Sequence, residues 1–197
     1  MIALSYTWDP VAHVFFLSAA LLGSIGGGVA LYERFTMPSR RFLLLSAITA
    51  TWMTALGMAG MGADQATASW WLRVAFLFDP FTAPAMYWLA VSLAGVRHRT
   101  VVRLVWGAGA VFAAVGLTGP WLVRGLEQAT RGHTLGGLGW LGGLYFLYIV
   151  TVLGAGVMVL ARSAYGAVTR QLRLVSRLLA LVAVLSSLSL LDYWIPY

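Results

Sequence analysis

Six runs of apolar residues, each about as long as a bilayer's hydrocarbon core is thick, alternate with short polar connections along this chain. Spanning roughly 30 Å of hydrocarbon as an α-helix takes about 20 residues. The runs at 11–32, 42–61, 71–95, 104–123, 138–160 and 174–194 meet that length. The connections at 33–41, 62–70, 96–103, 124–137 and 161–173 are too short to hold a domain of their own. Backbone N–H and C=O groups find no water in hydrocarbon, so such runs must satisfy their hydrogen bonds internally, as helices. The pattern predicts an all-α fold: a polytopic membrane helix bundle of about six transmembrane helices, forming one domain over residues 1–197.

Composition supports that solvent. The chain is 60% hydrophobic and 10% charged, with a mean hydropathy of +0.84, whereas a soluble domain carries roughly 25% charge. The net charge of +7 changes the picture only through its placement. All 13 basic residues are arginine. The first, third and fifth connections hold Arg34, Arg40, Arg41, Arg97, Arg99, Arg103, Arg162, Arg170 and Arg173, with Arg177 just beyond. The other side has Arg73, Arg124 and Arg131. Cytoplasmic connections collect arginine, so those three are expected inside and both termini outside. The same asymmetry accounts for the basic balance without a nucleic-acid partner. Residues 1–10 lack the basic start of a signal peptide, so the first run is expected to be a retained helix. There is no cysteine, which excludes thiolate chemistry and Cys-ligated metals.

Aromatic and small residues add detail. Six of the nine tryptophans, Trp8, Trp70, Trp71, Trp121, Trp140 and Trp194, fall at expected outer helix ends, as an interfacial belt requires. Gly23 with Gly27, Gly109 with Ala113, and Gly139 with Gly143 are each four residues apart, which places each pair on one helix face for close helix–helix packing.

The third run holds the candidate chemistry. Asp79 lies eight residues past Trp71, about 12 Å along a helix and near the middle of the hydrocarbon. A carboxylate there costs on the order of 2.5–3.5 kcal/mol, so it must be neutral, paired or capping. Pro80 and Pro84 each remove a helical donor, freeing the carbonyls of Phe76 and Pro80. Two readings stay open. In one the helix breaks and Asp79 caps its second half, with Pro80 in the first turn. In the other the broken helix forms a midplane site for an ion, a proton or a polar ligand. Arg73 snorkels outward or pairs with Asp64, Asp192 or Glu127. Asp192, near Ser186, Ser187 and Ser189, would join it in a polar outer vestibule. His13, His98 and His133 have no metal-ligand spacing, and neither a phosphate-binding loop nor a catalytic triad motif is present. The residues therefore predict no enzyme and require no cofactor, while a bound lipid or pigment fits the composition.

Three stretches carry a resemblance. A basic turn leads into an apolar helix with a central tryptophan, Arg40, Arg41 and Phe42 through Thr51 and Trp52. A second helix runs from Trp71 and Arg73 through Pro84, Tyr87 and Trp88 to Gly95 before a basic loop. A third begins at Gly132 and His133 and enters the fifth run at Leu144 and Tyr145. Together they resemble the seven-transmembrane N-terminal region of bacterial sensor histidine kinases. The resemblance implies a bacterial inner (cytoplasmic) membrane and a sensory input role, with no catalytic residues in this part. It also implies a seventh helix and an ATP-binding portion, neither of which is found among the six runs that end at Tyr197, so any phosphorylating output is expected from a separate protein.

Three functions follow as expectations. The first is a non-catalytic interaction or accessory subunit of a larger membrane complex, packed against membrane lipids, pigments and other integral membrane proteins. The second is a sensor-type input module that signals through a separate partner. The third is a small transporter built around Asp79 and Pro80.

Overall fold

A computed structural model describes residues 5–118 and 141–166, with side chains through Ser163. Within them the regular structure is all helical, apart from one isolated antiparallel bridge between Tyr6 and Gly62. The helices are α1 (Pro10–Tyr32), α2 (Met37–Gly60), α3 (Gln65–Phe78), a 3₁₀ turn (Asp79–Phe81), α4 (Thr82–Leu93), α5 (Arg99–Thr118) and α6 (Gly142–Gly166). Taking α3 to α4 as one rod, five spans are long and apolar enough to cross a membrane. The predicted sixth run, 174–194, lies outside the described residues.

Helices α2, α3 and α5 start five or six residues before their apolar runs, and at α2 and α3 the reason is capping. Asp9 accepts from Val11 N–H at 2.9 Å, Thr36 from Ser39 N–H at 3.4 Å, and Asp64 from Thr67 N–H at 2.8 Å. Each cap satisfies a donor that the first turn leaves open. Hydropathy marks hydrocarbon contact, whereas caps set where hydrogen bonding begins, in the polar interface. Arg40, Arg41, Arg99 and Arg103 consequently sit on helical turns instead of in loops.

Two tight turns lie at the arginine-rich end. Between α1 and α2, Arg34 and Phe35 take left-handed φ values of 50° and 55°. The α4 rod stops at Gly95, with φ of 68°, where Val96 N–H reaches back to Val91 O at 3.2 Å. Glycine suits that left-handed closing position because it has no Cβ to clash. At the opposite end the segment before α1 pairs with the α2–α3 connection. Thr7 N–H donates to Met61 O at 2.7 Å and Ala63 N–H to Ser5 O at 2.9 Å.

Helix α1 packs along α2; α2 also touches α3 and α4; α4 packs on α6, and α5 on α3 and the 3₁₀ turn. The core joins Phe76, Met86, Tyr87 and Val91 to Tyr145, Ile149, Val152 and Leu160. Val14, Leu17, Leu21 and Ile25 of α1 are exposed, as expected of side chains whose solvent is lipid.

The small-residue pairs do not all make contacts. Among the described residues nothing lies within 4 Å of a Cβ placed at Gly23, Gly27 or Gly143. In α1 the close approach belongs to Gly26, where a Cβ would fall 2.5 Å from Ser46 Cβ. The packed face of α1 runs through Ala12, Ala19, Gly26 and Ala30, so Gly23 and Gly27 are rotated off the seam with α2. Gly109 and Ala113 are both buried, on the side of α5 that meets the 3₁₀ turn. Gly139 lies outside the described residues.

Candidate functional site

Asp79 sits fourteen residues from either end of the Gln65–Leu93 rod, about 21 Å from each at helical rise. The rod is not broken into two half-helices. It tightens into a single 3₁₀ turn, Asp79–Phe81, and Thr82 N–H bonds back to Asp79 O. The capping role considered for Asp79 is therefore replaced: neither the 3₁₀ turn nor α4 has a side-chain cap. The Asp79 carboxylate instead accepts the hydroxyl of Tyr145 on α6, at 2.5 Å.

The second tyrosine of that helix closes the backbone. Pro84 has no N–H to offer the carbonyl of Pro80, and the Tyr148 hydroxyl takes its place, 3.1 Å from Pro80 O and 2.9 Å from Val105 O. One hydroxyl thus ties the 3₁₀ turn to α5 and α6. That geometry needs a glycine on α5. A Cβ at Gly109 would lie 2.9 Å from Pro80 O and 3.0 Å from Tyr148 Oη. Pro80 and Pro84 are fully buried and Asp79 is half-buried.

Aromatic rings extend the cluster in both directions, Phe112 away from the arginine-rich end and Phe81, Trp106 and Trp88 toward it. Phe112 stands edge-on to Tyr145 at 5.3 Å and tilted against Tyr148 at 5.0 Å. Phe81 stacks on Trp106 at 5.6 Å, and Trp106 meets Trp88 edge-on at 6.0 Å. Arg41 completes the series: its guanidinium lies 4.6 Å over the Trp88 ring, and its Nη1 donates to Trp88 O at 3.3 Å. A guanidinium over an indole is held by the ring's negative face. Next to it, the Tyr87 hydroxyl and His98 Nδ1 are 2.9 Å apart, joining α4 to the basic loop.

Of the residues anticipated, Asp79, Pro80 and Pro84 come together with Gly109. Arg73 does not join them; it is exposed and makes no ion pair among the described residues. Asp64, one of its suggested partners, is engaged with Ser5 and Thr67. Asp192 and Glu127 lie outside the described residues. His13 is exposed on α1, where its Nδ1 meets Asp9 O at 2.8 Å beside Trp8. Tyr145, Tyr148, Trp106 and Arg41 were missed. Tyr145 and Tyr148 are three apart in an otherwise apolar helix, and two hydroxyls on one face of a membrane helix were the available signal.

The class these features define is a helical membrane-spanning bundle with, among the described residues, a polar cluster at mid-depth. Compared with known proteins, the chain matches no family model, no curated protein and no solved structure.

Proposed function

We propose that this chain is a non-catalytic membrane interaction module that works as an input: the Asp79 cluster changes state within the bilayer, and a separate protein reads the change. The observation that carries the reading is the Tyr145–Asp79 bond beside a 3₁₀ turn fastened by Tyr148. An intramembrane acid is unfavourable enough that it is retained for a purpose. Here it sits at the one place where the rod departs from α-helix, so a change at the carboxylate acts on a hinge. Rings and the Arg41 guanidinium continue from that hinge to the arginine-rich end. Spatial continuity between the hinge and that end supports coupling. The histidine-kinase resemblance agrees with an input role inside a bacterial inner membrane, with the arginine-rich end in the cytoplasm and the termini outside.

The chain has no native cysteine, so a Thr100→Cys reporter in the exposed first turn of α5 is the single labelling site. In lipid nanodiscs, Asp79→Asn is expected to alter the labelling rate at that reporter severalfold while leaving helix content unchanged. Equal rates with and without the substitution would remove the input reading.

A second reading, an accessory subunit held in a larger complex, is favoured by Gly23 and Gly27, which present an open small-residue face on α1 among the described residues. Gly23→Leu would then abolish comigration with a stoichiometric membrane assembly in mild detergent without lowering the chain's own stability.

A further inference from the structure

Two helices begin at the arginine-rich end, α2 at Met37 and α5 at Arg99, and each carries an arginine at its fifth residue, Arg41 and Arg103. Helix α4 touches both, and its Trp88 links them. The Arg41 guanidinium lies 4.6 Å over the Trp88 ring, and the Trp106 ring of α5 meets the same indole edge-on at 6.0 Å. Arg103 stands one turn before Trp106 on the same face of α5. A guanidinium about 6 Å along its helix, near the edge of the hydrocarbon, ordinarily extends to water. Arg41 is instead half-buried: Nη1 donates to Trp88 O at 3.3 Å, and Nε is buried with no hydrogen bond among the described residues. Nη2 is left as the open donor. No carboxylate answers the charge. Among the described residues Glu33 is the one acid at this end, and none of the arginines forms an ion pair.

We infer that Arg41, flanked by Arg103, binds the phosphate of an anionic phospholipid whose chain lies along Trp106 and Phe81. Guanidinium and phosphate form strong charge-assisted bonds, and the positive dipole ends of α2 and α5 face the same place. Toward mid-depth, Phe81 stacks on Trp106 at 5.6 Å, and both rings are partly exposed. Open cationic donors above an aromatic wall match an amphiphile with a negative head and an apolar tail. A zwitterionic headgroup would bring a further cation into a surplus that already includes the exposed Arg40, Arg97 and Arg99. This site is separate from the Asp79 carboxylate and stands whether or not that group is an input.

The test is thermal unfolding of the full chain in phosphatidylcholine nanodiscs holding increasing phosphatidylglycerol. Salt is kept at about 1 M, where the screening length of roughly 3 Å leaves only contact pairs. The melting temperature is expected to rise with phosphatidylglycerol and then saturate. Arg41→Gln abolishes the rise. Arg103→Gln moves its midpoint to about fivefold higher phosphatidylglycerol, the worth of one arginine near an anionic headgroup. Arg97→Gln, which removes an exposed charge from the α4–α5 loop, follows the wild type. A wild type that melts alike at every lipid composition overturns the site, and so does an Arg41→Gln variant that keeps the rise. If Arg97→Gln loses as much as Arg41→Gln, diffuse surface charge is responsible and the site is again overturned. Should Arg41→Gln fail to fold, an unchanged midpoint in Arg103→Gln decides against it. Inorganic phosphate that reproduces the full rise in pure phosphatidylcholine means that Arg41 takes a free anion, which defeats the lipid.

Discussion

Two aspartates of this chain accept hydroxyl hydrogen bonds, in different solvents. Asp64 stands at the start of α3, in the polar end region, and takes the hydroxyls of Ser5 and Thr67 together with Thr67 N–H. Those bonds, the one from Ser5 foremost, hold its carboxyl below the ordinary value of 3.8. Asp79 stands at the middle of the same rod and takes the single hydroxyl of Tyr145. At Asp64 the charge is native to its surroundings, and the contacts serve to cap a helix and pin the N-terminal segment. At Asp79 the surroundings oppose the charge, and three helices are fastened around it. Similar chemistry is thus a local fixture in one place and a constraint on the whole bundle in the other.

On that contrast, substitutions around Asp79 outweigh those around Asp64. The largest effect is expected from Gly109→Val. Its side chain would be driven into Pro80 O and Tyr148 Oη, destabilising the bundle by about 3 kcal/mol, read as a lowered denaturation midpoint in mixed micelles. A midpoint within error of wild type would show that α5 yields freely and that the 3₁₀ turn is not clamped.

Tyr145→Phe comes next, at about 1.5 kcal/mol, since it leaves the carboxylate without its hydroxyl donor. Adding Asp79→Asn should recover part of that loss, because the two groups act as a pair. Strict additivity in the double-mutant cycle would deny the bond a separate role. Tyr148→Phe is expected at about 0.6 kcal/mol, the usual worth of a hydrogen bond between membrane helices. Its product is a looser α5, visible as faster hydrogen exchange near Val105.

The smallest global effect is expected at Asp64. Its folded carboxyl titrates below its unfolded value, so its contribution is complete above about pH 4 and fades as the pH falls through the folded value. Acid should therefore release the N-terminal segment, where Trp71 Nε1–H donates to Tyr6 Oη at 3.1 Å. Trp71 fluorescence in a background lacking the other tryptophans would follow that release. Asp64→Asn should remove the acid-dependent change and barely move the midpoint of the bundle. If it lowers the midpoint as far as Tyr145→Phe does, the contrast between the two sites fails.

The apolar runs by themselves determined that this is a helical membrane bundle and gave approximate positions for the five described spans, because exclusion of water from a 20-residue stretch leaves the backbone no other option. They also located Asp79, Pro80 and Pro84 as a mid-depth anomaly, since depth along a helix follows from counting residues. Helix starts were misplaced because Thr36 and Asp64 form caps in regions that are not apolar. Only the tertiary structure decided what Asp79 bonds to. Tyr145 is 66 residues away in sequence, and no local rule brings α6 beside the 3₁₀ turn. It likewise decided that Gly26 and Gly109 approach their neighbours while Gly23 and Gly27 do not. Spacing fixes which residues share a helix face, but the rotation of each helix in the bundle fixes which face meets another, and that is set by all its packing contacts at once.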